Sequence, residues 1–249
     1  MRIDRLLCEL NIGTRSQVKE LLKKGLVSAD GQIIRKADAQ VDENSVEITV
    51  KGKNYSYRPF VYYMLNKPAG VITATRDAQD RTVMDLVKEE YQLSHDGELS
   101  GIPFKDMFPV GRLDKDTVGL LLITNDGELS HNLLAPGKHV DKTYLVHLND
   151  NLSKEMIEQL EQGVDIGEEK RTQPAVLTID EQDASVCHIT ITEGKFHQVK
   201  RMFEAVGRKV IYLKRLSMGS LVLDETLPEG KIRELTKEEA DELRKGYRP

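Results

Sequence analysis

The sequence predicts an α+β protein with a small N-terminal module, a short linker and a larger mixed domain. Three observations support this. Segments of helical and of strand periodicity interleave without the regular alternation of a βαβ array. Residues 53–59, KNYSYRP, are polar, carry two tyrosines and are punctuated by Pro59, which separates 1–52 from 60–249. The charge changes sign near the same place: residues 1–59 hold 11 Lys/Arg against 8 Asp/Glu, and the remainder 25 against 33. At 249 residues and 39% hydrophobic content, the chain can bury one large core and one small one.

Within residues 1–52, Ile3, Leu6, Leu7 and Leu10 repeat at helical spacing and predict a first helix. Gly13 ends the link, and Thr14 with Gln17 has the spacing of a capping box that opens a second helix. There Val18, Leu21 and Leu22 face inward, and Gly25 sits where a left-handed terminator belongs. Arg15, Lys19 and Lys23 recur every four residues, so they line one exposed edge. LVSADGQII then predicts a hairpin turning at Asp30-Gly31, and SVEITV (45–50) alternates as a strand.

The larger segment, 60–249, opens with FVYYMLNKPAG, an apolar strand running into an Asn-Lys-Pro-x-Gly turn. Helical spacing is present at 82–91, 152–163 and 197–207, and Thr236 with Glu239 marks the start of a final short helix. Strands are predicted at 142–148, 174–180, 185–192 and 209–219. Residues 94–108 form a glycine-containing loop without an assigned role.

Composition narrows the function classes. No window approaches 18 consecutive apolar residues, so no membrane span is expected. MRIDRLLCEL carries charge in its apolar stripe and lacks a small-residue cleavage site, unlike a signal peptide. Cys8 and Cys187 lie far apart with no Cys-x-x-Cys partner, which fits a reducing cytoplasm. The six histidines show no metal-ligand spacing, and no phosphate-binding or dinucleotide-binding glycine loop occurs, so no metal and no nucleotide cofactor is expected. Between Glu193 and Arg215 stand seven basic residues and two acidic ones. Together with the edge at Arg15, this is either localised contact with a polyanion or a pair of solvated faces.

The stretch VGRLDKDTVGLLLITNDGELS (110–130) places Asp114 and Asp116 just before an apolar strand. Four readings present themselves: a helix or turn cap, a metal site, a phosphate-transfer nucleophile, or a catalytic carboxylate of another kind. A calcium loop fails, because Asn125 stands where a bidentate Glu is needed. Asp-x-Asp-x-Thr/Val matches dehalogenase-type phosphatases, but the motif lies deep in the chain and its lysine and acidic partners have no clear counterparts.

PVGRLDKDTVGLLLITNDG, KTYLV and EGKFHQVKRMFEAVG, in this order and at roughly these separations, resemble the motifs of bacterial pseudouridine synthases. MLNKPAG is similar to that family's opening strand and turn. RIDRLL and GTRSQVKELLKKGLVSADG resemble the αL RNA-binding module of ribosomal protein S-four type. The likeness covers nearly the whole chain, and KFHQVKRM points to the RsuA branch. It implies an αL module followed by a catalytic domain with a mixed, largely antiparallel sheet. It also implies a cofactor-free isomerase that converts uridine to pseudouridine in ribosomal RNA, with uridine 516 of 16S rRNA as the target. The substrate is then free 16S rRNA or a partly assembled small subunit, and a monomer is expected.

By the same resemblance Asp114 is the catalytic carboxylate, Tyr144 stacks on the target base, and Lys200 pairs with the aspartate, where an ammonium favours the charged form. Arg112 would occupy the space left by a flipped nucleotide. Arg201 would contact phosphate, and Lys195 and His197 belong to the same RNA-binding stretch, as Arg15, Lys19 and Lys23 do in the first module. The target nucleotide must leave its stack to be reached. The alternatives are a sister-branch synthase acting on 23S rRNA, a non-catalytic RNA-binding or ribosome-assembly protein, and an Asp-x-Asp phosphatase.

Overall fold

A computed structural model describes the chain except for Asn11, Asn44, Ser56, Arg58, residues 95–105 and 246–249, and gives no side-chain surroundings at 91–94 and 136. Most of the loop singled out at 94–108 therefore lies outside the described residues. The chain divides into two compact units, Met1–Val61 with Lys88–Met107, and Tyr62–Val87 with Phe108–Pro249. Among the described residues no helix is long and apolar enough to cross a membrane.

In the first unit α1 (Ile3–Glu9) and α2 (Arg15–Lys23) pack on a small sheet. The capping box closes reciprocally: Thr14 Oγ1 accepts from Gln17 N (3.4 Å) and Gln17 Oε1 from Thr14 N (2.8 Å). Past α2, Gly25 adopts φ +69°, and the amides of Gly25 and Leu26 donate back to Leu22 and Leu21. This double bond satisfies carbonyls that the helix end leaves open. β1 (Val27–Ala29), β2 (Gln32–Ile33), β3 (Ile48–Val50) and β4 (Lys53–Tyr55) form the sheet in the order β2-β1-β3-β4. Asp30-Gly31 turns the first hairpin with both residues left-handed, as its type requires. Lys51-Gly52 turns the hairpin from β3 to β4 in the same way. The sequence pattern assigns residues 53–55 to the linker; they are instead the fourth strand. Lys-Gly is a weaker hairpin signal than Asp-Gly because lysine tolerates positive φ less well than Asp or Asn.

The second unit is built on β5 (Tyr62–Lys67), β6 (Phe108–Pro109), β7 (Val118–Thr124), β8 (Lys142–Leu148), β9 (Val176–Ile179), β10 (Val186–Ile191), β11 (Val210–Met218), β12 (Leu221–Val222) and β13 (Ile232–Glu234). The sheet runs β13-β5-β7-β11-β8-β10-β9, with β6 on β7 and β12 on β11. It is mixed and mostly antiparallel: among the described pairs only β7 with β11 is parallel. Every residue of β5 and β7 is buried, as expected of strands covered on both faces. β8 buries alternate residues, Lys142, Tyr144, Val146 and Leu148, so these share one face.

α3 (Val83–Ser94) is opened by a capping box between Thr82 and Asp85, and α5 (Lys154–Gln162) by Ser153. Between them lies α4 (Gly127–Leu134), which helical periodicity does not reveal because only Leu129 and Leu133 mark its inner face. Its cap is Asp126, which accepts from Leu129 N (3.0 Å) and from the Tyr62 hydroxyl (2.7 Å). α6 (Gln198–Ala205) buries Val199, Met202 and Phe203, and α7 (Lys237–Lys245) begins at the Thr236–Glu239 capping box. Met64, Leu120, Leu122, Leu129, Leu133, Met218 and Leu243 form the core between sheet and helices.

One glycine is dictated by strand approach. Gly119, next to the start of β7, has φ +97° and lies opposite Arg215 of β11; a Cβ there would fall 2.3 Å from the Arg215 carbonyl oxygen. The parallel pairing of β7 with β11 thus requires glycine immediately beyond the turn that carries Asp114.

Candidate active site

Asp114 stands in the turn that leads into β7, closed by a bond from Thr117 N to Asp114 O (3.1 Å). The turn is held from several sides. Lys67, at the end of β5, is fully buried and directs its ammonium at the carbonyl oxygens of Pro68, Asp114, Lys115 and Thr117, at 2.8–3.3 Å. Gly70 N donates to Lys115 O (2.8 Å), and Thr73 Oγ1 bonds both the oxygen (2.8 Å) and the nitrogen (3.1 Å) of Leu113. Burial pushes the Lys67 ammonium down to about 8, against the attraction of Asp116 and Asp114. A lysine at the end of an apolar strand is visible in MLNKPAG, but nothing in its spacing shows that it lies beneath the aspartate turn.

The two aspartates separate in space. Asp114, 26% exposed, lines a cleft of about 900 Å³, whereas Asp116, 74% exposed, lies outside it. Lys200 of α6 bridges them, with Nζ 3.1 Å from Asp114 Oδ2 and 2.6 Å from Asp116 Oδ1. Burial acts to lower the Lys200 pKa, but the two carboxylates outweigh it and raise it, while the ammonium holds Asp116 below the usual carboxylate range. The other oxygen of Asp114, Oδ1, faces His197 Nε2 at 3.4 Å. The Asp114 carboxylate therefore meets a lysine and a histidine, and accepts no backbone N–H from a described residue that would make it a cap.

Tyr144 is buried on β8 and lines the same cleft, and its hydroxyl makes no hydrogen bond to a described residue. Beside it lie two further buried cations that the sequence does not single out. Lys142 donates to Val140 O (2.8 Å), and burial together with the charge of Arg215 lowers its pKa. Arg215, opposite Tyr144 in the β8–β11 register, donates Nε to Leu120 O (2.8 Å), and its Nη2 is buried without a partner among the described residues. Arg112 is exposed at the cleft and makes no side-chain bond to a described residue.

Two members of the anticipated RNA-binding set are committed elsewhere. Arg201 bonds Glu168 (2.7 Å) and the carbonyl of Phe196 (3.0 Å) through Nη1, and the carbonyl of Ile166 through Nη2. Lys195 reaches the carbonyls of Lys170 and Arg171, both at 3.2 Å, and lies 3.5 Å from Glu193. Both brace the loop before α6 rather than projecting from it. In the first unit Arg15, Lys19 and Lys23 are exposed along α2, and none makes a side-chain hydrogen bond or ion pair to a described residue.

The profile of the RNA pseudouridylate synthase family matches residues 61–205, and that of the S4 domain matches residues 1–46. The chain belongs to the RNA pseudouridylate synthase family. The uncharacterized RNA pseudouridine synthase YtzG of Bacillus subtilis is 48% identical over 241 residues, covering 96% of each chain. Ribosomal small subunit pseudouridine synthase A of Vibrio vulnificus is 37% identical, covering 98% of this chain and 99% of its own. Ribosomal large subunit pseudouridine synthase B of Bacillus subtilis is likewise 37% identical, covering 98% and 95%. A crystal structure of a pseudouridylate synthase superposes with a TM-score of 0.65 at 35% identity, covering 98% of this chain and 99% of that one. Asp114, Tyr144 and Lys200 all fall within the stretch that matches the synthase family, and so does the unanticipated Lys67.

Proposed function

We propose that this synthase isomerises uridine in ribosomal RNA, with uridine 516 of 16S rRNA as its target and Asp114 as the catalytic carboxylate. The observation that carries the reading is the meeting of Asp114, Tyr144 and Lys200 at one cleft, with Asp116 outside it. Isomerisation breaks the bond from uracil N1 to the ribose, turns the base and rejoins it through C5, and the hydrogen on C5 is lost. It needs a carboxylate at the glycosidic bond, a cation beside that carboxylate and a flat surface for the base. Asp114, Lys200 and Tyr144 match these needs in turn, and the Tyr144 hydroxyl, without a partner among the described residues, suits assistance to proton removal from C5. The cleft admits a nucleotide only after it has been flipped from its stack, at a cost of a few kcal/mol. Arg112 would fill the gap left behind.

Residues 60–249 form the catalytic domain in this reading, and 1–52, extended by β4, the RNA-binding module, with Arg15, Lys19 and Lys23 on phosphate and His197 on RNA at the cleft. Lys195 and Arg201 serve as framework. The small-subunit target rests on the KFHQVKRM string and on several relatives named small subunit synthase A. The large subunit synthase B is as similar as the first of these, which keeps 23S rRNA as the second reading.

The test uses 16S and 23S rRNA labelled with tritium at C5 of uridine, as free RNA and as assembly intermediates. Release from 16S rRNA alone, absent with Asp114→Asn at unchanged RNA binding, is the expected result. Release only from 23S rRNA would move the target to the large subunit. No release from any form, despite salt-sensitive binding, would favour a binding protein.

A further inference from the structure

The Phe196 ring of the second unit takes no part in the chemistry above. Phe196, two residues before α6, is 67% exposed, and its ring lies 3.8 Å from that of His197 at an interplanar angle of 19°. Both rings line the cleft, and His197 is the residue that faces Asp114. The loop that carries them is not slack. Glu193 Oε1 accepts from Gln173 N (2.9 Å) and Gln198 Nε2 (2.8 Å), and Gln198 Oε1 from Lys195 N (2.8 Å). Arg201 holds the Phe196 carbonyl and Lys195 ties the loop to residues 170 and 171. His197 itself adopts φ +48°, a backbone that non-glycine residues seldom take up and that the surrounding bonds must hold. The frame therefore fixes a large apolar ring in water, one ring away from the Asp114 carboxylate.

We infer that the Phe196–His197 pair is a stacking platform for the nucleobase next to the target uridine, a site distinct from the pocket at Tyr144. The inference rests on the reading of the cleft as the uridine site. Once a uridine is drawn into the cleft its neighbour loses a stacking partner, and the outer face of Phe196 replaces it. Every base offers a π-face, so this contact is tolerant of sequence and supplies affinity and register. Arg112 at the same cleft, with no side-chain partner among the described residues, favours a nucleic acid over an apolar peptide as occupant.

The test uses the full chain and short loop RNAs spanning uridine 516. 2-Aminopurine, whose emission falls on stacking, replaces the nucleotide on the 5′ side in one RNA and on the 3′ side in the other. Wild type is expected to quench one of the two. Phe196→Ala removes that quenching and raises KM for tritium release about ten-fold, the size of one base stack, with kcat within about two-fold. Phe196→Tyr retains both quenching and KM. Equal quenching and equal KM for wild type and Phe196→Ala would overturn the platform and leave the isomerase reading intact. If wild type releases no tritium from these RNAs, uridine 516 fails as the target, and quenching still decides base stacking at Phe196: it stands if the signal depends on Phe196 and falls if it does not.

Discussion

The basic edge of α2 and the basic stretch 195–215 look alike in the sequence, and the fold uses them in opposite ways. On α2, Arg15, Lys19 and Lys23 project into solvent and bind nothing among the described residues. In the second stretch Lys195, Arg201, Arg208 and Arg215 donate to backbone carbonyls, and Lys200 to carboxylates. A carbonyl turned inward and away from a strand or helix needs a donor, and a long cation can supply one across a gap that the backbone cannot close. The first region is thus available to phosphate, while most cations of the second are spent on carbonyls and carboxylates within the fold. Clustered positive charge locates a functional region but does not say which of its cations touch the ligand.

This contrast breaks most visibly at Asp114. Asp114→Asn is expected to lower the rate of tritium release by about three orders of magnitude, whereas Asp116→Asn, outside the cleft, costs less than about ten-fold. The reverse order would move the catalytic role to Asp116. Lys67→Met tests the internal use of cations, since it removes the donor shared by four carbonyls. A loss of about 2–4 kcal/mol in urea unfolding is expected, with reduced activity because the turn carrying Asp114 loosens.

The same lysine gives a pH test with a definite sign. Its pKa lies near 8 in the folded chain and returns to 10.5 on unfolding. Between these values the unfolded state binds the extra proton, so the stability of wild type relative to Lys67→Met should grow as pH rises from about 8 to 10.5. A gap that stays flat up to about pH 10.5 and narrows only above it would mean that the four carbonyls hold the proton more firmly than burial expels it. The smallest effects separate the two basic regions directly. Replacing Arg15, Lys19 and Lys23 with Gln should flatten the log–log salt dependence of RNA binding by about 2. Arg201→Gln should leave that slope unchanged and lower stability by about 1–3 kcal/mol.

Features set by neighbours along the chain are legible in the residues themselves. The capping boxes at Thr14 and Thr236, the terminator at Gly25 and the hairpin at Asp30-Gly31 are each a local bond or a local φ, and all form as the residues indicate. Alternation places β8 at its observed bounds, Lys142–Leu148, and puts Tyr144 on its buried face. Where local signals are sparse the pattern falls short: α4 has two apolar markers, and β4 follows a turn that opens with lysine.

The site divides along the same line. Asp114, Tyr144 and Lys200 are picked out in the sequence by the strings that resemble the synthase motifs, and the proposed reading gives them the roles of carboxylate, ring and cation. Their meeting, and the exclusion of Asp116 from the cleft, depend on the parallel approach of β11 to β7, which joins positions about a hundred residues apart and for which Gly119 leaves space. No periodicity encodes a contact of that separation. Lys67 under the turn, Arg201 behind the loop and Phe196 at the rim acquire their roles from that contact, because a side chain's partner is set by whichever backbone the folded sheet brings within reach.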